Sequence, residues 1–370
     1  MRLSLFDLLF ELTSNSQRSL DFTFYGELNK PTTLRNLELG AKIAFEKFPQ
    51  SNSTINRYDF VICEEAWKVN KFSGNHEYEI IKDFINDEFN LKKSRGIKQL
   101  LITKSDGRQI LVTRMHHAVG DGLSLFMWLE AQLCGSQVSN DEMQLLGKPN
   151  VVSKKSAYEF SKPCQVYKEF KRGNGSSRDW LSFKISNVSL APNLTLNDSL
   201  IAIFLKALED VFALERRGVY LPINIRKFPF KGFGNGSSRI KIYDIENTDL
   251  IEKAHSIRKQ KNDARNNGLW YQRNTYNRMF SKFIFSKIIN KYSKMNTHDY
   301  GSFVFSHIQK LGPYETVLNH FKTHQFISQI FHPYSFTVIV LGETCTITWD
   351  RNLISKEKIV EYSEKIINLK

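Results

Sequence analysis

The sequence predicts a mixed α/β protein built from two lobes, and three observations support this fold class. The chain has 370 residues, more than one ordinary compact domain contains and enough for two units of about 150–200 residues each. Segments with helical spacing alternate with strand-like segments in both halves. Residues 148–180 contain Pro149, Pro163, a Lys-Lys pair and a Gly-Asn-Gly-Ser-Ser run, which is typical of a linker, and we place this linker at 151–180. We therefore expect an N-terminal lobe over 1–150 and a C-terminal lobe over 181–370.

The elements of the first half follow from local patterns. Residues 33–48 carry apolar side chains at helical spacing up to a proline, and residues 79–88 predict a second helix. Apolar runs on both sides of a Ser-Asp-Gly-Arg turn predict a hairpin over 99–115. A third helix is expected over 123–133.

The second half shows a similar mixture of elements. The predicted strands are at 181–190, 219–225 and 301–308, and a hairpin is predicted at 336–349. Helices are predicted at 198–214, in the basic region 251–294, and at the C-terminus after Ser355. Thr195 or Asn197 is the expected N-cap of the helix at 198–214, because both residue types are good caps.

The charge balance favours anionic partners. Lys and Arg number 52 against 38 Asp and Glu, which gives a formal net charge of +14. Such a surface attracts nucleic acid, acidic lipid, phosphorylated cofactors or an acidic carrier protein, and charge alone does not choose among them. With 41% hydrophobic and 24% charged residues, the composition is that of a soluble globular protein.

Cysteine usage and the first residues of the chain predict a cytoplasmic protein. The cysteines contain no C-x-x-C pair, so neither a zinc site nor a disulfide framework is indicated and free thiols are expected. The four cysteines are Cys63, Cys134, Cys164 and Cys345. Asp7 and Glu11 interrupt the apolar start of the chain, which a signal peptide would not tolerate. No apolar stretch reaches the ~20 residues that cross a bilayer.

Two adjacent histidines at the end of the predicted return strand are the candidate catalytic feature. His116 and His117 point to opposite faces of that strand, so only one of them can face a given cleft. A neutral imidazole titrates near pH 7 and can accept a proton from a hydroxyl or amine that attacks a thioester. Asp121 can hold an arginine or cap the following helix, and Gly122 gives the backbone freedom at the turn.

These residues also have structural alternatives. Asp121 can be an N-cap only, and His116 can be a histidine packed in the core. Two histidines and an aspartate also match the ligand types of zinc or iron. However, adjacent strand residues diverge and no third His or Glu is spaced to complete a site, so we expect no metal.

A seven-residue run looks like the HHxxxDG signature of the thioester-dependent acyltransferase superfamily: it reads His116-His117-Ala118-Val119-Gly120-Asp121-Gly122. This superfamily includes chloramphenicol acetyltransferase, condensation domains of nonribosomal peptide synthesis, plant BAHD acyltransferases and bacterial wax ester synthase/diacylglycerol acyltransferases. Further segments resemble those of members in the same order: they are Ser4-Leu5-Phe6-Asp7, Phe89-Asn90-Leu91, Asn197-Asp198-Ser199-Leu200, Pro222-Ile223-Asn224-Ile225-Arg226, Gly232-Phe233-Gly234-Asn235 and Val304-Phe305-Ser306-His307. The BAHD motif DFGWG is absent, which argues against that branch.

The resemblance implies a fold and a mechanism. The fold would consist of two chloramphenicol acetyltransferase-like lobes, each a mixed sheet flanked by helices, with the active-site channel between them. His117 would be the general base and would later protonate the leaving thiolate. Asp121 would pair with an arginine, for which Arg226 is the candidate. The supporting residues would be His116, Gly122, Arg226, Asn197 and Ser306, with Ser306 as a donor to the oxyanion. Alternatively, Arg226 is a surface residue and Ser306 an ordinary strand serine.

The resemblance also implies the co-substrates. No cofactor would be bound permanently, and a coenzyme A thioester or a phosphopantetheinyl carrier would serve as co-substrate. The partners would be acyl-CoA or an acidic acyl carrier protein, together with a small-molecule or lipid acceptor. The basic and aromatic region 258–294 could dock a carrier protein or contact a membrane surface. The structural alternative is a solvated basic helix that packs by its apolar face. Nucleic acid is not expected, because no binding motif accompanies the charge.

The sequence therefore predicts an acyltransferase that moves an acyl group from a thioester donor to an alcohol or amine. Two alternatives stay open: a condensation-type domain acting on carrier-bound substrates, and a non-catalytic binding module that retained the fold. The intact histidine motif argues against the binding module, because a decayed site loses the histidine or the Asp-Gly pair.

Overall fold

The computed structural model describes most of the chain. The described residues are 20–56, 59–135, 143–144, 146, 177–185, 188–212, 218–227, 231–245, 248–268, 303–308, 311–328 and 336–369. Within these ranges no helix is both long and apolar enough to span a membrane. Ser4-Leu5-Phe6-Asp7, Cys164 and the part of the basic region beyond residue 268 lie outside the described residues.

Strands and helices alternate along the described chain. The strands are β1 (Asp21–Leu28), β2 (Ser53–Asn56), β3 (Asp59–Ile62), β4 (Asn70–Ser73), β5 (Ile97–Thr103), β6 (Gln109–His116), β7 (Arg178–Lys184), β8 (Gly218–Asn224), β9 (Ser237–Tyr243), β10 (Phe303–Ile308), β11 (Phe321–Ile327), β12 (Phe336–Leu341) and β13 (Thr344–Asp350). The α-helices are α1 (Leu34–Lys47), α2 (Glu77–Asn86), α3 (Gly122–Cys134), α4 (Leu196–Phe212), α5 (Leu250–Asn266) and α6 (Lys356–Asn368), and 3-10 segments cover Pro49–Asn52 and Gly312–His320.

Two mixed sheets form the framework. The first sheet has the strand order β11-β1-β6-β5-β4, in which β4 runs parallel to β5 and the other neighbours are antiparallel. The second sheet has the order β7-β13-β12-β10-β8-β9, in which β10 runs parallel to both β12 and β8. Strands β2 and β3 form a separate hairpin. The predicted α/β class, with two mixed sheets flanked by helices, is therefore confirmed.

Each sheet is covered by helices, and we use "first lobe" and "second lobe" for the sheet with its helices. Helices α1 and α3 pack on one face of the first sheet, where Phe24 and Leu129 belong to the same core. Helix α2 covers the other face with a smaller core that includes Ile85 and Val112. Helices α4, α5 and α6 pack on one face of the second sheet. Burial of these apolar faces against each other is the main force that holds each lobe together.

The lobes do not follow a single cut in the sequence. Strand β11 lies in the region predicted as the C-terminal lobe (181–370), yet it pairs with β1 in the first sheet. Strand β7 begins at Arg178, within the last residues of the predicted linker 151–180. The rest of that linker, up to residue 176, lies outside the described residues, so the proposed boundaries stay predictions.

Local signals placed several elements well. Helix α1 begins after Thr33, whose hydroxyl accepts a hydrogen bond from the Asn36 N–H (3.1 Å), and the predicted hairpin is present as β5 and β6. Helix α4 is capped by Thr195, which exchanges hydrogen bonds with Asp198, and not by the alternative Asn197.

Candidate active site

The histidine pair lies where β6 leaves the first sheet. His116 is the register partner of Asp21 on β1, and opposite residues of an antiparallel pair share a face. His117 follows the strand, and its N–H donates to the carbonyl of Leu20 (2.7 Å). The His117 ring packs edge-on against Phe22, with ring centroids 5.4 Å apart, and Phe22 belongs to the core on the α3 side. The two imidazoles therefore lie on opposite faces of the first sheet.

His116 is fully buried on the α2 side. Its ring packs edge-on against Phe89 (centroids 5.6 Å apart), and its Nδ1 accepts a hydrogen bond from the Ala118 N–H (3.2 Å). Burial lowers the pKa of His116 to about 3; Asp21 opposes this effect, and the nearby His117 and Arg114 add to it. His116 is therefore neutral at physiological pH and accepts a proton only in acid.

His117 is half-buried and has its backbone fixed on both sides. Besides the bond to Leu20, its carbonyl oxygen accepts a hydrogen bond from Nδ2 of Asn235 (2.7 Å). Asn235 is itself buried and belongs to the loop between β8 and β9 of the second lobe. Contacts from both lobes thus fix the position of the His117 main chain.

Asp121 joins the lobes through a buried ion pair. Its two carboxylate oxygens accept hydrogen bonds from Nη1 and Nη2 of Arg226 (2.7 and 2.9 Å), in the bidentate geometry typical of strong arginine–carboxylate pairs. The same carboxylate caps helix α3, because Ser124 donates to it from both its N–H and its hydroxyl (3.1 Å each), and it also accepts from the Gly236 N–H (2.8 Å). The pairing expected from the resemblance and the helix cap are both present.

The charge state of Asp121 follows from these contacts. Burial alone would raise the pKa of the carboxyl, but the Arg226 guanidinium and the hydrogen bonds from Arg226, Gly236 and Ser124 outweigh it and lower the pKa below its usual range. Asp121 is therefore ionised across the physiological range, and its oxygens are engaged in holding the turn.

Arg226 is enclosed by a glycine-rich loop. Only 2% of the residue is exposed, and the guanidinium donates to the carbonyls of Gly232 (3.0 Å) and Gly234 (2.6 Å). Gly234 has a φ of 122°, a conformation that side chains other than glycine rarely adopt. A Cβ at Gly236 would lie 2.3 Å from Cζ of Arg226. The loop can wrap the guanidinium only because these positions carry no side chain.

Gly122 marks the point where the second lobe approaches helix α3. A Cβ at Gly122 would lie 3.3 Å from the Phe326 ring and 3.9 Å from Cδ1 of Ile308. Ser306 lies two residues before Ile308 on β10, so both project from the same face of the second sheet. The structure therefore places Ser306 on the face that turns toward the first lobe, and Ser306 is partly exposed there.

Asn197 lies on the opposite face of β10 from Ser306. Its Oδ1 is 3.0 Å from Nδ1 of His307, the residue that alternates with Ser306 along the strand. Burial, together with the nearby positive charge of Lys261, lowers the pKa of His307 to about 4, so this ring is neutral. Asp198 next to Asn197 forms an ion pair with Lys261 (2.7 Å). The structure thus groups Asn197 with His307 and does not bring it to Ser306.

Comparisons with known proteins identify the fold. No protein-family model matches the sequence, and no curated protein matches it. Among solved structures, one similar structure is a starter condensation domain of rhizomide synthetase in complex with C8-CoA and Leu-SNAC. The two chains are 11% identical, and their superposition has a TM-score of 0.66 and covers 99% of this chain and 92% of that chain. The TRI3 trichothecene 15-O-acetyltransferase of Fusarium sporotrichioides is 12% identical with a TM-score of 0.64, covering 100% and 94%. The epimerization domain of the third module of tyrocidine synthetase B is 13% identical with a TM-score of 0.62, covering 100% and 94%.

The chain has the chloramphenicol acetyltransferase-like fold. The likeness extends over nearly the whole length of this chain and of each neighbour, so the two-lobed arrangement as a whole is shared. At these identities the likeness establishes the fold, and the chemistry has to be argued from the residues.

Three residues that were not predicted as site residues also contact the candidate site. Nδ2 of Asn235 donates to the His117 carbonyl, the Ser124 hydroxyl accepts a hydrogen bond from the Gly234 N–H (2.9 Å), and the Gly236 N–H donates to the Asp121 carboxylate. The run Gly-Phe-Gly-Asn-Gly at residues 232–236 was the available signal, because closely spaced glycines indicate a loop whose main chain can approach other groups closely.

Two further predictions concern metals and the basic region. In the described ranges, no group of three or more His, Cys, Asp or Glu could hold a metal ion. Helix α5 covers the described part of the basic region. It buries Ala254, Ile257 and Ala264 against the second core, while Lys259 and Arg265 are exposed. This part packs by an apolar stripe and carries its charge outward.

Proposed function

We propose that the chain is an acyltransferase that moves an acyl group from a thioester donor to an alcohol or amine, with His117 as the general base. One observation carries this proposal. The His117 imidazole is half-buried, and hydrogen bonds to both lobes hold the His117 main chain in place. The Asp121–Arg226 ion pair fixes the turn that follows His117. A proton acceptor held in this way at the contact between two lobes suits a reaction that joins two bound substrates.

The proposed reaction requires one proton transfer in each direction. The acceptor O–H or N–H gives its proton to the His117 imidazole while the oxygen or nitrogen bonds to the thioester carbonyl carbon. The carbonyl oxygen carries the negative charge of the tetrahedral intermediate. The intermediate then expels the sulfur, which takes the proton back from His117 and leaves as a thiol.

The other predicted residues have supporting roles in this proposal. Asp121 is not a base, since its carboxylate is committed to Arg226, Ser124 and Gly236, and it instead fixes the turn after His117. Ser306 is the proposed donor to the oxyanion, because its face of the second sheet turns toward the first lobe. Asn197 would support the second lobe through its contact with His307.

A coenzyme A thioester is the proposed donor. The rhizomide synthetase starter condensation domain, which shares the fold, was crystallised with C8-CoA. The formal charge of +14 on this chain suits a donor that carries phosphates. The acyl chain length and the acceptor are left open, and the cytoplasmic location and the membrane contact through 258–294 stay predictions.

A condensation-type reaction on carrier-bound thioesters is the second candidate. Two of the three reported neighbours are a starter condensation domain and an epimerization domain of synthetases, and helix α5 exposes basic side chains that an acidic carrier protein could contact. A non-catalytic binding module would share the fold but would not need a half-buried imidazole with a fixed main chain.

Thiol release tests these possibilities together. Purified protein is incubated with acyl-CoA donors from acetyl to long-chain, and separately with carrier protein loaded with the same acyl groups, in the presence of mixed alcohols and amines. Release of CoA with formation of an ester or amide, detected by mass spectrometry, supports the first candidate. Turnover of carrier-bound donor alone supports the second. Binding of donor without thiol release under any condition would leave only the binding module.

A further inference from the structure

A second cluster of buried charges lies on the other face of the histidine segment. Asp21 and Arg114 are fully buried and Arg178 is 3% exposed. Nε of Arg114 donates to the Asp21 carboxylate, and Nη1 of Arg178 lies 3.0 Å from Oδ1 of the same carboxylate. Nη2 of Arg178 donates to the other oxygen (3.3 Å). One carboxylate thus holds two guanidinium groups away from water.

Arg114 connects this cluster to His116. Its guanidinium donates to the carbonyls of Phe84 (2.7 Å) and Asp87 (2.9 Å) at the end of α2, and it lies over the Phe89 ring, 4.9 Å from the centroid. The same Phe89 ring packs against the His116 imidazole. His116, Phe89 and Arg114 therefore form one continuous packed row under the end of β6.

Arg178 connects the cluster to the second lobe. It is the first residue of β7, the edge strand of the second sheet, whereas Asp21 belongs to β1 of the first sheet. The residues after Arg178 are also tied to the first lobe: Lys82 lies 3.5 Å from Asp179, and Nε1 of Trp180 donates to the Tyr25 hydroxyl (3.0 Å). The start of β7 is thus fastened to the first lobe at several points.

The two buried aspartates flank the histidine pair in a similar way. Asp21 is opposite His116 on the α2 face and receives an arginine from β7. Asp121 follows His117 on the other side and receives Arg226, from the loop after β8. Each aspartate belongs to the first lobe and each of these arginines to the second. The lobes are therefore joined by one buried ion pair on either side of the histidines.

We propose that Arg178 is a positioning residue, which acts through Asp21 to hold the second lobe in place relative to His117. The Arg178 guanidinium donates one hydrogen bond to the Asp21 carboxylate (3.3 Å) and one to the Asp21 carbonyl (3.4 Å), so the pair can define where β7 meets the histidine segment. Arg178 does not touch a reacting atom, so its effect on the reaction would be indirect. The kinetic part of the inference rests on the proposed acyltransferase function, whereas the structural part does not.

The charge balance of the cluster determines which of its residues can be replaced without leaving a buried charge unpaired. Replacing Asp21 would leave two buried guanidinium groups without an anion, which is strongly destabilising. Replacing Arg178 with methionine leaves Asp21 and Arg114 as a balanced pair, so Arg178→Met should fold. Arg178→Lys keeps the positive charge but loses the planar guanidinium with its several N–H donors. Arg108→Met is the matched control, because Arg108 pairs with Asp106 (2.7 Å) and Glu27 (3.2 Å) but is half exposed.

The experiment has a kinetic arm and a spectroscopic arm. Steady-state acyl transfer gives kcat and KM for wild-type protein and for the Arg178→Met, Arg178→Lys and Arg108→Met variants. NMR of protein labelled with ¹³C at histidine Cε1 follows the rings of His116 and His117, assigned with His116→Gln and His117→Gln. The NMR arm needs no activity, so it tests the positioning even if no thioester is turned over.

The expected results differ from those of a purely structural pair. Arg178→Met should lower kcat by about tenfold or more with little change in KM, because misplacing a catalytic group by an ångström is that costly. Its His117 signal should shift, and Arg178→Lys should lie between Arg178→Met and wild type. Wild-type kcat and His117 signals in a folded Arg178→Met, even with reduced thermal stability, would overturn the proposal. A His117 shift as large in Arg108→Met would do the same.

Discussion

At the residue scale, two neighbouring histidines differ in what surrounds them. His116 is buried on the α2 face, packs on Phe89 and has its pKa lowered to about 3 by burial. His117 is half-buried on the α3 face against Phe22. Only the second ring lies where a substrate could reach it. Strand alternation separates the two rings, and the same alternation makes one of them a structural residue and the other a candidate base.

The buried His116 predicts a stability change with pH. Below pH ~6.5 the unfolded chain binds a proton at His116 that the folded chain does not, so stability falls as the pH drops from 6.5 toward 3. This contribution amounts to roughly 1.4 kcal/mol per pH unit. Urea unfolding at pH 6.5, 5.5 and 4.5 should therefore show a smaller slope in His116→Gln than in wild type. Parallel slopes would contradict this, and the exposed His255→Gln variant is the control.

Replacing Asp121 with asparagine should lower the stability of the protein strongly. Asp121→Asn removes the charge that offsets the buried Arg226, and breaking a buried pair on one side costs about 3–5 kcal/mol. Because the pKa of Asp121 is lowered in the folded protein, its contribution is present above pH ~4 and is lost as the pH falls through the folded pKa. Chemical denaturation at neutral pH measures the cost, and acid titration measures its disappearance.

Two comparisons make this prediction specific. The double variant Asp121→Asn/Arg226→Met should recover part of the stability, because no unpaired charge is left buried. Glu361→Gln breaks the exposed pair with Lys358 and should cost at most about 1 kcal/mol. An Asp121→Asn variant as stable as Glu361→Gln would show that the buried pair does not hold the turn.

At the element scale, the loop between β8 and β9 determines the geometry of the site. Its glycines let the main chain close around Arg226, and its Asn235 holds the His117 carbonyl. The loop thus connects the anchor of the turn with the main chain of the candidate base. A loop with side chains at these glycines could not adopt this path.

Gly236→Ala tests the role of that loop. The new Cβ would lie 2.3 Å from Cζ of Arg226, so the guanidinium or the loop has to move. Overpacking of this kind costs about 1–3 kcal/mol, and the displaced Asn235 should reduce acyl transfer as well. Thermal unfolding and thiol release measure both effects. Ser237→Ala, at the next and half-exposed position, should leave both unchanged; equal effects of the two variants would contradict the prediction.

Elements with local signals could be predicted from the sequence, and elements defined by distant partners could not. Helix α1 and the β5–β6 hairpin carry their own caps, spacing and turn residues. Strands β1 and β11 pair across about 300 residues, and β1 is buried on both faces, so it shows no alternating pattern. The Asp121–Arg226 pair spans 105 residues and was expected only because of the resemblance. Asp21 and Arg178 had no such guide and became visible only in three dimensions.

At the scale of the whole molecule, two lobes meet around one short segment. The first core includes Ile339 and Leu341 of β12, so the second sheet packs on the first lobe with the face that also carries Ser306. The buried ion pairs of Asp21 and Asp121 join the lobes on either side of the histidines. The two-lobed fold itself is shared with proteins that are only 11–13% identical.

The net charge of +14 predicts a salt dependence that distinguishes donors. Added salt shortens the range of surface electrostatics to about 3 Å at 1 M, so attraction to the phosphates of coenzyme A should weaken. The KM for acyl-CoA should therefore rise several-fold with salt, whereas the KM for the matching acyl-pantetheine, which lacks those phosphates, should change little. Steady-state kinetics at several salt concentrations measures this, and equal responses of both donors would contradict a role for the charge.

The proposed reaction depends on proton transfer by His117. The most direct measurement compares kcat for acyl transfer by wild type and by His117→Ala, using the best donor from the thiol-release panel. Circular dichroism shows whether both proteins are folded. Loss of a general base should reduce kcat by about 10²–10⁴-fold. A folded His117→Ala variant that transfers acyl groups at the wild-type rate would contradict the claim.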